Sequence, residues 1–104
     1  MDFNRQMAIT LKTGKIELGM RSAATAARLG RAKLIVLASN CPGKESILKE
    51  AKASGVPVYL YEGTSMELGR VCGKPFIISA MTVKEPGDSE ILKLAETQDA
   101  VSKD

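Results

Sequence analysis

The sequence predicts an α/β protein, a three-layer α/β/α sandwich built on a sheet of about four strands, and three observations lead there. Hydrophobic spacing switches between helical and strand-like stretches along the chain, the order expected of helices packed over a sheet. The run Lys33-Leu34-Ile35-Val36-Leu37-Ala38-Ser39 is almost continuously apolar over strand length, as a central strand covered on both faces requires. A chain of 104 residues holds one core and no second.

The elements follow in order. Asp2 is placed to cap a helix whose apolar positions Phe3, Met7, Ala8 and Leu11 repeat at helical spacing, and Gly14 suits its end. Lys15–Leu18 is a short extended piece, closed by Gly19. From Met20 a second helix shows Met20, Ala23, Ala24 and Ala27 on one stripe, small side chains that suit close helix packing, and Gly30 stops it. After the central strand, Asn40-Cys41-Pro42-Gly43 is a turn in every residue type. Lys44 to Ser54 reads as a helix with Ile47, Leu48 and Ala51 inward, Lys44, Lys49 and Lys52 outward, and Gly55 at its end.

Val56–Tyr61 is a second good strand, with Pro57 near its start where proline is tolerated. Thr64-Ser65-Met66-Glu67 forms a capping box before a short helix with Leu68, Val71 and Cys72 inside. Phe76 to Val83 reads as a further strand, Pro86-Gly87 as a turn, and Asp88 as the cap of a last helix through Ile91, Leu92 and Ala95. Met20, Met66 and Met81 read as packing residues. Residues 1–96 make a single domain, and the polar stretch 97–104 a tail expected to fray.

Composition narrows the function. Fifteen Lys and Arg against twelve Asp and Glu leave a net charge of +3, which permits a polyanionic partner without demanding one. Histidine is absent, so the usual neutral-pH acid-base group and the commonest metal ligand are missing. Cys41 and Cys72 lie far apart, outside any zinc-type spacing, and read as two reduced cytosolic thiols. No apolar stretch approaches the ~20 residues of a membrane span, and the start lacks a signal-peptide layout, so a cytoplasmic protein away from membranes is expected.

The near-motifs lack the residues their chemistry requires. Gly69-Arg70-Val71-Cys72-Gly73-Lys74 has three residues between its glycines and Pro75 after the lysine, where a P-loop needs four and a Ser or Thr. Its glycines read instead as the end of the short helix. A phosphatase-like loop would carry arginine six positions after its cysteine, and Ile47 and Ile78 stand there. Gly14, Gly19 and Gly30 are too scattered for a dinucleotide fingerprint, and helix-start capping explains Asp88 and Glu90. No catalytic constellation, metal site or cofactor is expected.

A helix that turns shortly into a strand runs antiparallel to it, so the helix start at Met20 shares a sheet end with the exit of the central strand. Gly19, Arg21 and Ser22 therefore lie beside Asn40, with Lys44 nearby. This corner suits RNA: a helix N-terminus offers free N–H groups to phosphate, Arg21 a full charge, and Asn40 a base-reading amide. Each residue also has a plainer role, Gly19 and Asn40 in turns, Arg21 and Lys44 as solvated charges. Phe76 is open between core and contact, since the pattern does not place it.

Four segments carry a resemblance: Leu18-Gly19-Met20-Arg21-Ser22, Ala32 to Asn40, Tyr61 to Gly69 and Pro86 to Leu92. Together they resemble the archaeal and eukaryotic large-subunit ribosomal protein L-thirty-e family, within the kink-turn RNA-binding superfamily, over about Phe3 to Leu94. The resemblance implies a mixed four-stranded sheet and RNA met by three loops at one end. By position it implies that Gly19, Arg21 and Ser22 grip the kinked backbone, that Asn40 contacts a guanine near sheared G·A pairs, that Lys44 falls in the same region, and that Phe76 packs on the RNA.

Superfamily members that bind general kink-turns carry Asn-Glu after the helix-start glycine, where Met20-Arg21-Ser22 stands here. The expectation is a non-catalytic constituent of the large ribosomal subunit, monomeric when free, with ribosomal RNA and other large-subunit components as partners. The rivals are an accessory protein of a small ribonucleoprotein outside the ribosome, separable by ribosome sedimentation, and a small-molecule-binding α/β domain, which needs a deep pocket.

Overall fold

In the computed structural model, which describes residues 2–95, the apolar run forms a central strand. The strands are β1 (Lys15–Leu18), β2 (Leu34–Leu37), β3 (Val58–Leu60) and β4 (Ala80–Glu85), in the spatial order β1-β4-β2-β3. β2 pairs with β3 in parallel and with β4 antiparallel, and β1 pairs antiparallel with β4, so the sheet is mixed. The helices are α1 (Phe3–Thr13), α2 (Met20–Leu29), α3 (Lys44–Ser54) and α4 (Ser65–Val71), with a further helical segment at 91–95.

All four β2 side chains are buried, and their alternation divides the core between two faces. Leu34 and Val36, with Met81 and Val83 of β4, face Phe3, Met7, Leu68 and Ile91 on α1, α4 and segment 91–95. Ile35 and Leu37, with Ala80, face Ala23, Ala27, Ile47 and Ala51 on α2 and α3. Strand periodicity thus supplies both covered faces, and the α/β/α sandwich follows. The alanines of α2 let α3 approach closely, while Phe3 stacks on Tyr59 at 4.9 Å and anchors α1 over the β3 edge.

Several local readings hold. Asp2 accepts a hydrogen bond from the Asn4 N–H at 3.1 Å, and Thr64 and Glu67 close a reciprocal capping box at the start of α4.

Others need correction. Residues 76–79 are not strand: β4 begins at Ala80, and Phe76 and Ile77 stand 53% and 61% exposed. Gly69 lies buried inside α4 rather than at its end, because a Cβ there would overlap the Phe76 carbonyl. Ala8 is exposed, and Thr10 takes the buried place on α1. Met20 and Met66 are surface residues; of the three methionines only Met81 is core.

Asp88 does not cap the last helix. Its N–H donates to Thr13 Oγ1 at 2.9 Å, and Ser89 Oγ accepts from the Ile91 N–H at 3.5 Å. The Thr10 and Ser89 hydroxyls lie 2.6 Å apart and reach the Gln6 and Pro86 carbonyls, each at 2.8 Å. This chain of bonds staples segment 91–95 to α1. The tail at 97–104 lies outside the described residues.

Candidate functional site

Strand pairing brings four chain segments to one end of the sheet. Leu18 lies opposite Met81, Leu37 opposite Ala80, and Leu37 beside Leu60, so the exits of β1, β2 and β3 share a rim with the start of β4. Backbone bonds tie the rim together. Gly19 N–H donates to the Ala80 carbonyl at 2.9 Å, Ala38 to Ser79 at 2.9 Å, Ser39 to Gly63 at 3.0 Å, and Ile78 to Ser65 at 3.0 Å. Gly19, Arg21, Ser22, Asn40, Lys44 and Phe76 all belong to the segments gathered here.

Gly19 is the hinge between β1 and α2. Its φ of 113° and ψ of 155° belong to a region that only glycine occupies without strain, and a Cβ there would meet nothing within 4 Å. Crowding is therefore not the reason for glycine. The backbone makes a sharp exit and leaves open space over its own Cα. No side chain caps α2, so the N–H groups of its first turn, with the positive end of the helix dipole, face outward beside the exposed Arg21 and half-buried Ser22.

Asn40 is held from a different loop. Its Oδ1 accepts the N–H of Ser65, the first residue of α4, at 2.8 Å. A backbone N–H can only donate, so the atom facing it must be the oxygen, and the amide orientation is decided by that bond. Nδ2 then points the other way, on an exposed residue, with no partner among the described residues. The pattern supplies a fixed pair of donor hydrogens at the rim. Lys44, at the start of α3, donates through Nζ to the Ser39 carbonyl at 3.3 Å and so keeps its charge beside the same turn.

Phe76 reaches the rim because the strand starts late. Its carbonyl lies against Gly69 of α4, which holds the 76–79 loop down while the ring stands outward. An open apolar groove of about 290 Å³ runs between Leu18, Gly19 and Met20 on one side and Phe76, Ile77 and Ile78 on the other. Sequence reasoning missed two contributors. Ile77 looked like the interior of a strand, and Ser65 acts through its backbone, which no side-chain pattern reveals. The capping box at Thr64 was a signal for Ser65, since it fixes where an uncapped first-turn N–H must lie.

The cysteines take no part in this chemistry as nucleophiles. Burial pushes the Cys72 thiol up to about 11 and raises Cys41 too, with Lys44 opposing the shift at Cys41. Both stay protonated near neutral pH.

The family model described as "Ribosomal protein L7Ae/L30e/S12e/Gadd45 family" matches residues 1–93. Among curated proteins, one named large ribosomal subunit protein eL30 from Methanothermobacter thermautotrophicus is 47% identical over 96 residues, covering 90% of this chain and 98% of its own. Its namesake from Methanospirillum hungatei is 47% identical over 95 residues, covering 91% and 99%. The one from Methanosphaera stadtmanae is 44% identical over 98 residues, covering 92% and 100%.

Proposed function

The chain belongs to the ribosomal protein L7Ae/L30e/S12e/Gadd45 family, and from that premise we propose that it is a structural protein of the large ribosomal subunit which grips a kinked ribosomal RNA element at the rim around Gly19 and Asn40. It acts in the cytoplasmic ribosome, with ribosomal RNA and other large-subunit components as partners, and it is not an enzyme. Among the described residues no helix is long and apolar enough to cross a membrane.

The observation that carries the site is the amide orientation of Asn40. With Oδ1 engaged by Ser65, Nδ2 is the group left to read RNA, and its natural partner is a base acceptor such as a guanine O6 or N7. Gly19 admits a phosphate to the first-turn N–H groups of α2, and Arg21 and Lys44 neutralise charge beside it. The Phe76 shelf is open to solvent and suits an unstacked base or sugar, whereas a small molecule would need an enclosed pocket. Met20-Arg21-Ser22 replaces the Asn-Glu pair of general kink-turn binders, so isolated kink-turns are bound less tightly than the ribosomal site. The free protein is a monomer.

The test is binding of the purified protein to a kink-turn RNA and to the same RNA with its G·A pairs replaced by Watson–Crick pairs, at two salt concentrations. Preference for the kinked RNA, weakened by salt and lost in Asn40→Asp, is the expected result. Asp keeps the acceptor for Ser65, removes the donor and adds a negative charge, so Asn40→Ala, which removes the donor without adding charge, must lose the preference as well. Equal binding of both RNAs, unchanged in Asn40→Asp, overturns the site.

A further inference from the structure

The charge of this protein is not confined to the rim. Between Glu17 and Glu45 the chain carries Arg21, Arg28, Arg31, Lys33 and Lys44 and no acidic residue. Arg21 and Lys44 belong to the rim just described, but the other three lie at the far end of α2, about 15 Å away at 1.5 Å per helical residue. Structure gathers them. Lys33 N–H donates to the Val83 carbonyl at 2.9 Å, the Arg31 carbonyl accepts from Lys84 Nζ at 3.1 Å, and the Arg28 carbonyl accepts from Ser54 Oγ at 3.1 Å. The end of α2, the start of β2 and the end of β4 thus form one surface.

Two of the nearby cations have structural work. Lys84 ion-pairs with Glu17 at 3.7 Å, and Lys52 sits in the last turn of α3, where a cation complements the helix dipole. Arg28 has the same dipole role in α2, but Arg31 and Lys33 lie beyond the helix. Among the described residues, the side chains of Arg28, Arg31 and Lys33 are all exposed and have no ion pair or acceptor. Glu17, the acidic group beside them, is already paired with Lys84, so three exposed cations leave this surface net positive and attractive to an external polyanion.

We infer that Arg28, Arg31 and Lys33 form a second RNA contact, one that takes the phosphate backbone of a duplex without reading its bases. Among the described residues no free helix N-terminus, exposed aromatic shelf or oriented amide accompanies these cations, so position and charge are what this surface recognises. The contact rests on the RNA-binding reading above and adds to it: the domain holds RNA at both ends of α2, as a protein wedged between two RNA segments would.

The experiment uses the full chain with a plain RNA duplex that has no kink, beside a kink-turn RNA with short stems and a poly-glutamate control. The triple variant R28A/R31A/K33A is expected to bind the duplex at least tenfold more weakly near 0.1 M salt, with its log–log salt slope reduced by about 2. Its affinity for the short kink-turn RNA should stay within twofold, because that RNA needs only the rim. Unchanged duplex binding overturns the inference, as does an equal loss on both RNAs, which would mean a diffuse field and no second site. Equal capture of poly-glutamate and duplex by the wild type also overturns it, in favour of an acidic protein partner. The milder R31Q/K33Q variant, with thermal midpoints for both, guards against misfolding. Failure of Asn40→Asp to affect the kink-turn would count against the rim alone, so the two sites fail separately.

Discussion

The two ends of the sheet use the same kinds of residue for opposite purposes. At the rim, Gly19 has positive φ and nothing within 4 Å of where a Cβ would stand; at the other end Gly87 has a φ of 64°, and a Cβ there would collide with Thr13. At the rim the side-chain amide of Asn40 uses one of its two polar atoms internally and leaves the other outward. At the far end the hydroxyls of Thr10 and Ser89 are spent on each other and on the Gln6 and Pro86 carbonyls. The rim also exposes Phe76, Ile77 and Met20. The difference separates a rim left unsatisfied from a satisfied joint between α1 and segment 91–95, and, the cations Arg28, Arg31 and Lys33 apart, it sets where substitutions should cost stability and where they should cost kink-turn binding.

The largest effect should break the joint. Gly87→Ala combines a left-handed backbone with overlap of Thr13 and the Gly14 nitrogen, and is expected to cost about 3 kcal/mol or more in chemical denaturation. RNA affinity of the remaining folded protein should be unchanged. Gly19→Ala is the mirror test: backbone strain alone costs about 1–3 kcal/mol, while RNA affinity falls because the Cβ occupies the approach to α2. Should Gly19→Ala lose only stability, the contrast between the two glycines collapses.

Next come the polar groups. Asn40→Ala should weaken kink-turn RNA by about 1–3 kcal/mol in a titration, on the scale of a base contact. Phe76→Ala should cost about the same in binding by removing an aromatic platform, with stability within about 0.5 kcal/mol because the ring is largely exposed. Ser89→Ala should lower stability by about 1–2 kcal/mol without altering RNA affinity, since it breaks a part-buried bond far from the rim.

The smallest effect concerns pH. Burial raises Cys72 from 9.0 to about 11, so the folded state resists deprotonation more than the unfolded chain. That contribution is complete below about pH 9 and is lost as pH rises toward about 11. Alkaline denaturation of Cys72→Ala should show a shallower fall over this window than the wild type, whatever its stability at neutral pH.

Local chemistry alone was enough to read most of the framework. The β2 run announces a strand buried on both faces, the Thr64–Glu67 box announces α4, and the short turn from α2 toward β2 puts Gly19, Arg21 and Ser22 at the same sheet end as Asn40. These features depend on neighbours a few residues apart, which sequence records directly. What sequence left ambiguous depends on distant partners. Phe76-Ile77-Ile78-Ser79 has the composition of a strand, yet the first two residues stand exposed because Gly69 draws that loop onto α4 and pairing begins only at Ala80. Asn40 could have been a turn residue alone; its donor faces outward only because the Ser65 N–H, twenty-five positions on, claims its oxygen. Capping and periodicity are short-range and legible, whereas the exposure of an apolar ring and the direction of an amide are settled by whichever remote backbone groups the fold brings against them.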